Sequence, residues 1–570
     1  MPVPRTLLTS EPQDLDLDLT SGSWPADISG EMYISGPDTR ARSDYALFSP
    51  GITYRLSLRP DSDGRFPWRQ RRVETPSTRL WERRRDLFPP GQFGSLMSTT
   101  GMLNAGNTAP LPWGDRLFAT WDVGRPSELD PATLQFLGEV GHKKHWQTML
   151  PMQSVFPFIF SSAHPVVDPE RDCLWTVCLQ MAPESAPALA CSIVRYGGEG
   201  TGIDVWPVAN SRIPGSMHTI TQTRDWLVLA ESGNFKSDPA EMGGGERSVL
   251  VDLDVPVYLI RKDALDAVAP GTPVEADEFR IGPPTGHYYA AYDDTEGIRV
   301  LFEHMNDIDL GFYVRDNDLD AYGDPVDPAL AGMYSMAMSP AKLSEIVFDP
   351  ETGSVKDAAD FSDPERIWSS QLNGLDWSLE GTTTPTLHHM VFEGWCPELV
   401  PRREVDLYES AGRIDPAKFP GEETPARLVS VRRGSLEEHA ERIYALDEFP
   451  TSPIFAPRAA GSDSSKSRYS GTDPGGHDGY VVTIVHHDDG FRVELLDAGD
   501  VSNGPVAVLE PPHGETLPML LHAAWMPTVR EAVEVERLSF ADELDDSELS
   551  ALGAEVTSDI REIAAAPAGD

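Results

Sequence analysis

The feature that most restricts the fold of this chain is the shortness of its apolar runs. RLFAT, LWTVCLQ, WLVLA, PVYLI, IRVLFEH, GYVVTIV and RVELLD are rich in β-branched and aromatic residues and are parted by Gly, Pro, Asp and Asn. Runs of that length and composition are strands, and their separators are turn residues. With 50 Pro and 47 Gly in 570 residues, long helices have little room. Hydrophobic residues make up 40%, enough for a large core. Evenly spaced short strands then allow one oversized all-β domain where length alone suggests about three or four domains. No repeat of fixed period is visible.

Four histidines occupy similar settings far apart: His164 in SSAHPVVDPERD, His218 in PGSMHTITQTRDW, His304 in VLFEHMNDID and His522 in LPMLLHAAW. Each lies in or beside an apolar, strand-like stretch, which predicts that each points inward from a strand end. Their spacings of 54, 86 and 218 residues exclude a local ligand motif. Only a closed fold brings such residues together, and a propeller does so by aiming its inner strands at one axis. Four neutral imidazoles would suit iron, copper, zinc or nickel and leave the ion its full charge and open positions. Among fourteen His, spacing alone does not separate ligands from hydrogen-bonded core histidines.

Charge and cysteine content exclude several classes. The formal net charge is -45, from 91 acidic against 46 basic residues, a surface that repels nucleic acid and anionic lipid. The four Cys argue against a disulfide framework or a thiolate zinc site. The amino terminus lacks the basic-then-apolar order of a signal peptide, and no run of 18 apolar residues exists. A cytoplasmic protein is the expectation.

Further stretches accompany the histidines in a fixed order. ISGEMYISGPDTR comes first, followed by the hairpin LFSPGITYRLSLRPDSDGRF and WRQRRVET, then NTAPLPWGDRLFATWDVGRPSELDPATL. AHPVVDP, MHTITQT and FEHMN come next, and HDGYVVTIV, LLDAGDV and PVAVLEPP precede LLHAAW. Together they resemble the carotenoid cleavage oxygenase family, which includes apocarotenoid and lignostilbene dioxygenases and a retinal isomerase. The resemblance implies a seven-bladed β-propeller over residues 1–530, with loops 79–107 and 307–334 in a dome above the axis. It implies Fe(2+) held by His164, His218, His304 and His522, with FEHMN standing for the family's Phe-His-His-x-Asn. The reaction implied is cleavage of a conjugated double bond by dioxygen to two carbonyl products. No catalytic side chain is needed beyond the metal centre.

The family orients its histidines with three glutamates that accept the distal ring N–H. Two positions match here: Asp122 in ATWD, one methylene short, and Glu448 in DEFPTSP. At the third position this chain has Ser452. Asp122 is expected to need a water or a shifted backbone to reach a ring, and its bland alternative is turn capping.

An apolar substrate tunnel follows from the implied chemistry. The stretch from Trp146 to Phe160, WQTMLPMQSVFPFIF, could be core, tunnel wall or a peripheral membrane contact, and Phe302, Trp395 and Trp525 are further aromatic candidates. A carotenoid or apocarotenoid is favoured over a stilbene, whose phenol would want a buried Lys or Tyr. Lys143 and Lys144 are expected in solvent. His388 and His486, each in an adjacent His pair, are read as surface and turn residues. Other classes are a propeller reduced to a binding module and a zinc hydrolase. Gly461–Gly479 reads as a surface loop. Residues 531–570 carry twelve acidic residues and two Arg. Leu549, Leu552, Val556, Ile560 and Ile563 recur there at helical spacing behind a cap at Asp546 or Ser547, which predicts one acidic amphipathic helix in a C-terminal extension.

Overall fold

The computed structural model describes residues 3–566 apart from 39–43, 90–96, 151–153, 182–187, 201, 237, 239, 241–244, 306, 374–385, 459–477 and 531. The expected loop from Gly461 falls outside the described residues up to 477.

Strands follow one another as antiparallel meanders. Five four-stranded sheets cover Ala109–Glu139, Val166–Pro207, Ile220–Ile281, Thr285–Phe361 and Ser370–Ile443. The first strand of a sheet is short and buried, as in Val166–Asp168 and Ile220–Gln222. The last is the most exposed, as in Asp277–Ile281 and Ser354–Phe361. Middle strands such as Trp226–Ala230 and Leu387–Phe392 are buried on both faces between neighbouring sheets, which is why they read as continuous apolar runs. Val228, Val257, Tyr288, Val300 and Phe302 form one such layer, between the third and fourth sheets.

The expectation of seven blades is corrected. Among the described residues, besides these five sheets and the two-stranded pairing of Met97–Ser98 with Gly101–Met102, there is one continuous ten-stranded sheet, built from the strands between Leu15 and Arg72 and those from Phe449 to Met526. The cause is the strand Leu15–Gly22, which pairs on both edges. Leu15 to Leu17 lie against Phe66 to Trp68, and Asp18 to Gly22 lie against Ala507 to Glu510. The last strand, Ala523–Met526, adds to Glu31–Pro37, so the two halves of the chain are tied in this sheet.

Inner strands of successive sheets touch through their backbones. The His164 amide donates to the His218 carbonyl oxygen at 3.1 Å, the His218 amide to Ser232 O at 3.4 Å, and the His522 amide to Thr108 O at 3.2 Å. Parallel bridges pair His164 with Thr219 and Ser232 with Thr285. Heads of several sheets are thereby gathered at one place.

Over residues 531–566 three short helices, Phe540–Glu543, Asp546–Ser550 and Ala554–Ala565, stand where one was expected. The second is capped by Asp545, whose carboxylate accepts from the Ser547 amide at 2.9 Å. Leu549, Val556, Ile560 and Ile563 pack with Leu80, Val155 and Phe156. Lys143, expected in solvent, is buried: its Nζ donates to Glu548 Oε2 at 2.6 Å and to Val155 O at 3.2 Å. A paired carboxylate makes that burial tolerable. Lys144 remains exposed. No helix among the described residues is long and apolar enough to cross a membrane.

Candidate metal centre

Four imidazoles meet where the sheet heads converge: His164, His218, His287 and His522. One ring nitrogen of each lies within 4.8 Å of the others. His164 Nε2 and His218 Nε2 are 3.2 Å apart, and His218 Nε2 and His287 Nε2 are 3.3 Å apart. Nitrogens bound to a common cation at about 2.0–2.1 Å would stand roughly 3–3.4 Å apart, so these separations fit a shared ion. Burial, reinforced by the neighbouring rings, holds the pKa values of His164, His287 and His522 well below the ordinary imidazole value. Neutral rings can each turn a lone pair toward the common point, which suits them to hold a cation there.

Each ring is placed by local sequence. His164 and His522 stand just ahead of the strands Val166–Asp168 and Ala523–Met526, with small neighbours Ala163 and Ala523 that leave room for the other rings. His287 follows Gly286 within Thr285–Ala290. Beside His218 the space comes from Gly233, which has φ +89°; a Cβ there would lie 2.7 Å from the Cβ of His218.

Asp122 reaches His218 directly, with Oδ1 at 2.9 Å and Oδ2 at 3.0 Å from Nδ1. No bridging water is needed for that contact, and the connection carrying Asp122 is held in place by Ser161. Ser161 donates to Asp122 O from its amide at 2.8 Å and to Gly124 O from its hydroxyl at 2.8 Å. By accepting the Nδ1 proton, Asp122 leaves the lone pair on Nε2, facing the other rings.

Two expected residues lie elsewhere. His304 is outside the group, its Nδ1 2.6 Å from the Pro283 carbonyl oxygen, and burial lowers its pKa to about 4. Strand alternation explains this: His304 shares a face with Phe302, their rings 6.2 Å apart, while Glu303 takes the opposite face. There Glu303 sits with Oε2 3.2 Å from His287 Nδ1 and Oε1 3.0 Å from His388 Nε2. Glu448 precedes the strand Phe449–Pro450 and accepts from Arg492 Nη1 at 2.6 Å and from the Ala445 amide at 2.9 Å. It closes a turn and an ion pair at the rim, and Glu303 supplies the carboxylate to a ring in its place. His388 and His486, read as surface and turn residues, are buried inside strands. The signal for His287 was present in GHYYAAYDD, where a small residue, then His, opens a strand-like run as in the AHPVVDP stretch.

A cavity of about 350 Å³ opens onto His218, His287 and His522. Its wall is apolar and rich in methionine, including Met97, Met102, Met149 and Met305. Met97 and Met102 come from the 79–107 stretch, and Leu310 and Tyr334 from 307–334. The stretch from Trp146 to Phe160 divides its roles: Met149, Leu150, Phe158 and Phe160 line the cavity, whereas Trp146 and Ile159 join a core cluster. Phe302, Trp395 and Trp525 are buried in core clusters and do not line the cavity. Two phenols lie in the wall. Tyr45 donates to Leu310 O at 2.9 Å, and Tyr334 to Glu393 Oε1 at 2.8 Å, a carboxyl that burial pushes up to about 7.

The family model described as Retinal pigment epithelial membrane protein matches residues 5–527 of the chain. Apocarotenoid-15,15'-oxygenase of Synechocystis sp. is 22% identical over 549 residues, 91% of this chain and 95% of its own length. Resveratrol cleavage oxygenase 1 of Chaetomium globosum is 23% identical over 573 residues, 90% of this chain and 85% of its own. Among solved structures, a variant of the Synechocystis apocarotenoid oxygenase superposes with a TM-score of 0.58 at 18% identity, covering 92% of this chain and 98% of that one. A cobalt-substituted form gives the same score at 17% identity and the same coverage.

Proposed function

The chain belongs to the family described as Retinal pigment epithelial membrane protein, and from that premise we propose that it is an iron-dependent dioxygenase cleaving a conjugated carbon-carbon double bond of a carotenoid or apocarotenoid. The observation that carries this reading is the convergence of His164, His218, His287 and His522 beside an apolar cavity. These four would hold Fe(2+), which with neutral ligands keeps its charge and open positions, and would supply activation of dioxygen beside the alkene. One C=C bond is lost and both oxygen atoms of dioxygen appear in the two carbonyl products, so no other co-substrate enters the balance.

The chain's own residues do the rest. Asp122 holds the His218 ring through its Nδ1, and the Glu303 carboxyl lies behind the His287 ring. The methionine and phenylalanine wall takes the greasy length of a polyene, and flexible thioethers adapt to its shape. By excluding water it also protects the reacting alkene from competing chemistry.

One observation favours a second reading, cleavage of a hydroxylated stilbene. Tyr334 stands in the wall with its donor engaged by Glu393, and its phenol oxygen can accept from a substrate hydroxyl.

The test is metal analysis of protein purified without added metal, followed by aerobic incubation with a linear carotenoid, an apocarotenal and a hydroxylated stilbene, with products read by mass. About one iron per chain and two aldehydes from the apocarotenal are expected. Cleavage confined to the stilbene would select the second reading. Bound zinc in place of iron, or no cleavage of any of the three by iron-loaded protein, would sink both.

A further inference from the structure

Residues 528–570 lie beyond the family match, yet one of their side chains reaches the connection that carries Asp122. This connection, Trp121 to Pro126, joins the strands Arg116–Thr120 and Ser127–Leu129. It has no ladder of its own beyond a single bridge from Val123 to Phe160, so tertiary contacts set its position. Trp121, Asp122 and Val123 all line the cavity. Gly124, at φ +117°, is packed by the Asn104 side chain, where an added Cβ would lie 2.5 Å from Oδ1. Its amide donates to Ile159 O at 2.8 Å.

Arg125 anchors the far end. Its side chain is 4% exposed, and it grips Glu543 with both ends of its fork, Nη1 to Oε1 at 2.7 Å and Nη2 to Oε2 at 2.8 Å. Glu139 accepts from Nη2 as well, and Gly141 O from Nη1 at 2.5 Å. Glu543 is itself 4% exposed and also accepts from the Lys143 amide at 2.7 Å. A bidentate pair this buried is directional, and loss of one partner leaves the other charge short of compensation. Close by, Phe540 stacks on Phe156 at 5.7 Å, so the same short helix presses on the stretch that leads to Phe158 and Phe160 in the cavity wall.

We infer that Glu543 is a positioning residue for the site: by clamping Arg125 it fixes the connection that presents Asp122 to His218 and Trp121 and Val123 to the cavity. The acidic C-terminal extension is then a working part of the site's support. The inference rests on the proposed metal centre for its consequence and on the buried ion pair for its geometry.

Glu548 provides the control, because it fastens the same extension through Lys143 and makes no contact with Arg125. In the full chain, Glu543→Gln should speed amide hydrogen exchange in the peptide spanning 119–126 by about tenfold. It should also make iron about tenfold easier to strip with a chelator. Glu548→Gln should lower the melting temperature but leave both readouts near wild type. Glu543→Asp, which keeps the charge, should fall between wild type and Glu543→Gln, and serves as the measured variant if the Gln form does not fold. Unchanged exchange at 119–126 in the Glu543 variants, or equal acceleration in Glu548→Gln, would overturn the inference. Wild-type protein that binds no iron would instead count against the proposed function, while the exchange comparison still decides whether Glu543 holds the connection.

Discussion

His287 and His304 offer the sharpest test at the scale of single residues, because both are buried and only one joins the other three rings. His287→Ala should abolish bound iron, removing one of four ligands whose nitrogens already face a common point. His304→Ala should keep iron and lose about 1–3 kcal/mol of stability, the cost of orphaning the Pro283 carbonyl oxygen and emptying ring volume. Iron content by mass spectrometry and a melting curve separate the two; the reverse pattern would restore His304 as the ligand. For Asp122, replacement by Asn removes the negative charge that holds the Nδ1 proton of His218. Asp122→Asn should weaken iron affinity about 10–100-fold, read by competition with a chelator, and unchanged affinity would reduce Asp122 to a turn residue.

Along a strand, alternation decides which of two neighbours does which job, and this was the hardest thing to read from the sequence. FEHMN puts Glu303 and His304 side by side, and resemblance to a motif with adjacent histidines points to His304, which lies outside the ring group, while Glu303 takes the face toward His287. Position along the strand Ile298–His304 was legible, but which face met the ring cluster depended on its pairing with Thr285–Ala290, where His287 lies opposite Glu303. Three of the four converging histidines were readable because each begins or borders a strand behind a turn. Glu448 lies away from the rings for a different reason: a matching tripeptide says nothing about the Arg492 that engages its carboxylate. The amphipathic spacing of Leu549, Val556, Ile560 and Ile563 was visible, whereas the burial of Lys143 was not, since its partner Glu548 lies 405 residues away. The bridge between strands carries its own prediction. Glu303→Gln keeps the shape but puts an amide NH2 where one carboxyl oxygen faces His287 or His388, so iron affinity should fall about tenfold or more. His388→Ala, which frees Glu303 to serve His287 alone, should cost less affinity than Glu303→Gln; equal losses would show that the three act as one unit.

For the molecule as a whole, the strand Leu15–Gly22 turns what resemblance implied as separate blades into one ten-stranded sheet, and the buried ionisable groups within the layers make stability depend on pH. Burial pushes the Glu231 carboxyl up to about 8 and that of Glu393 to about 7, from an ordinary value of 4.5. It lowers His304 to about 4 and His486 to about 3, from 6.5. A carboxyl raised in the fold contributes fully below 4.5, and that contribution is lost as pH rises to 7 or 8. An imidazole lowered in the fold contributes fully above 6.5, and that contribution is lost as pH falls to 4 or 3. Between pH 4.5 and 6.5 the two carboxyls release protons on unfolding and the two histidines take them up, so their slopes cancel. Of these four groups only the carboxyls titrate above 6.5, and above 7 Glu231 contributes a decline of about 1.4 kcal/mol for each pH unit up to its folded value. The full-length protein should therefore be more stable at pH 6 than at pH 8, measured by urea unfolding. Glu231→Gln, which cannot ionise, should flatten that decline, and by leaving one raised carboxyl against two lowered histidines it should make stability rise by about 1.4 kcal/mol from pH 5 to 6. A variant that loses stability from pH 6 to 8 as steeply as wild type would show that Glu231 is already ionised in the fold, its charge balanced by Lys236, the cation that most favours its ionised form.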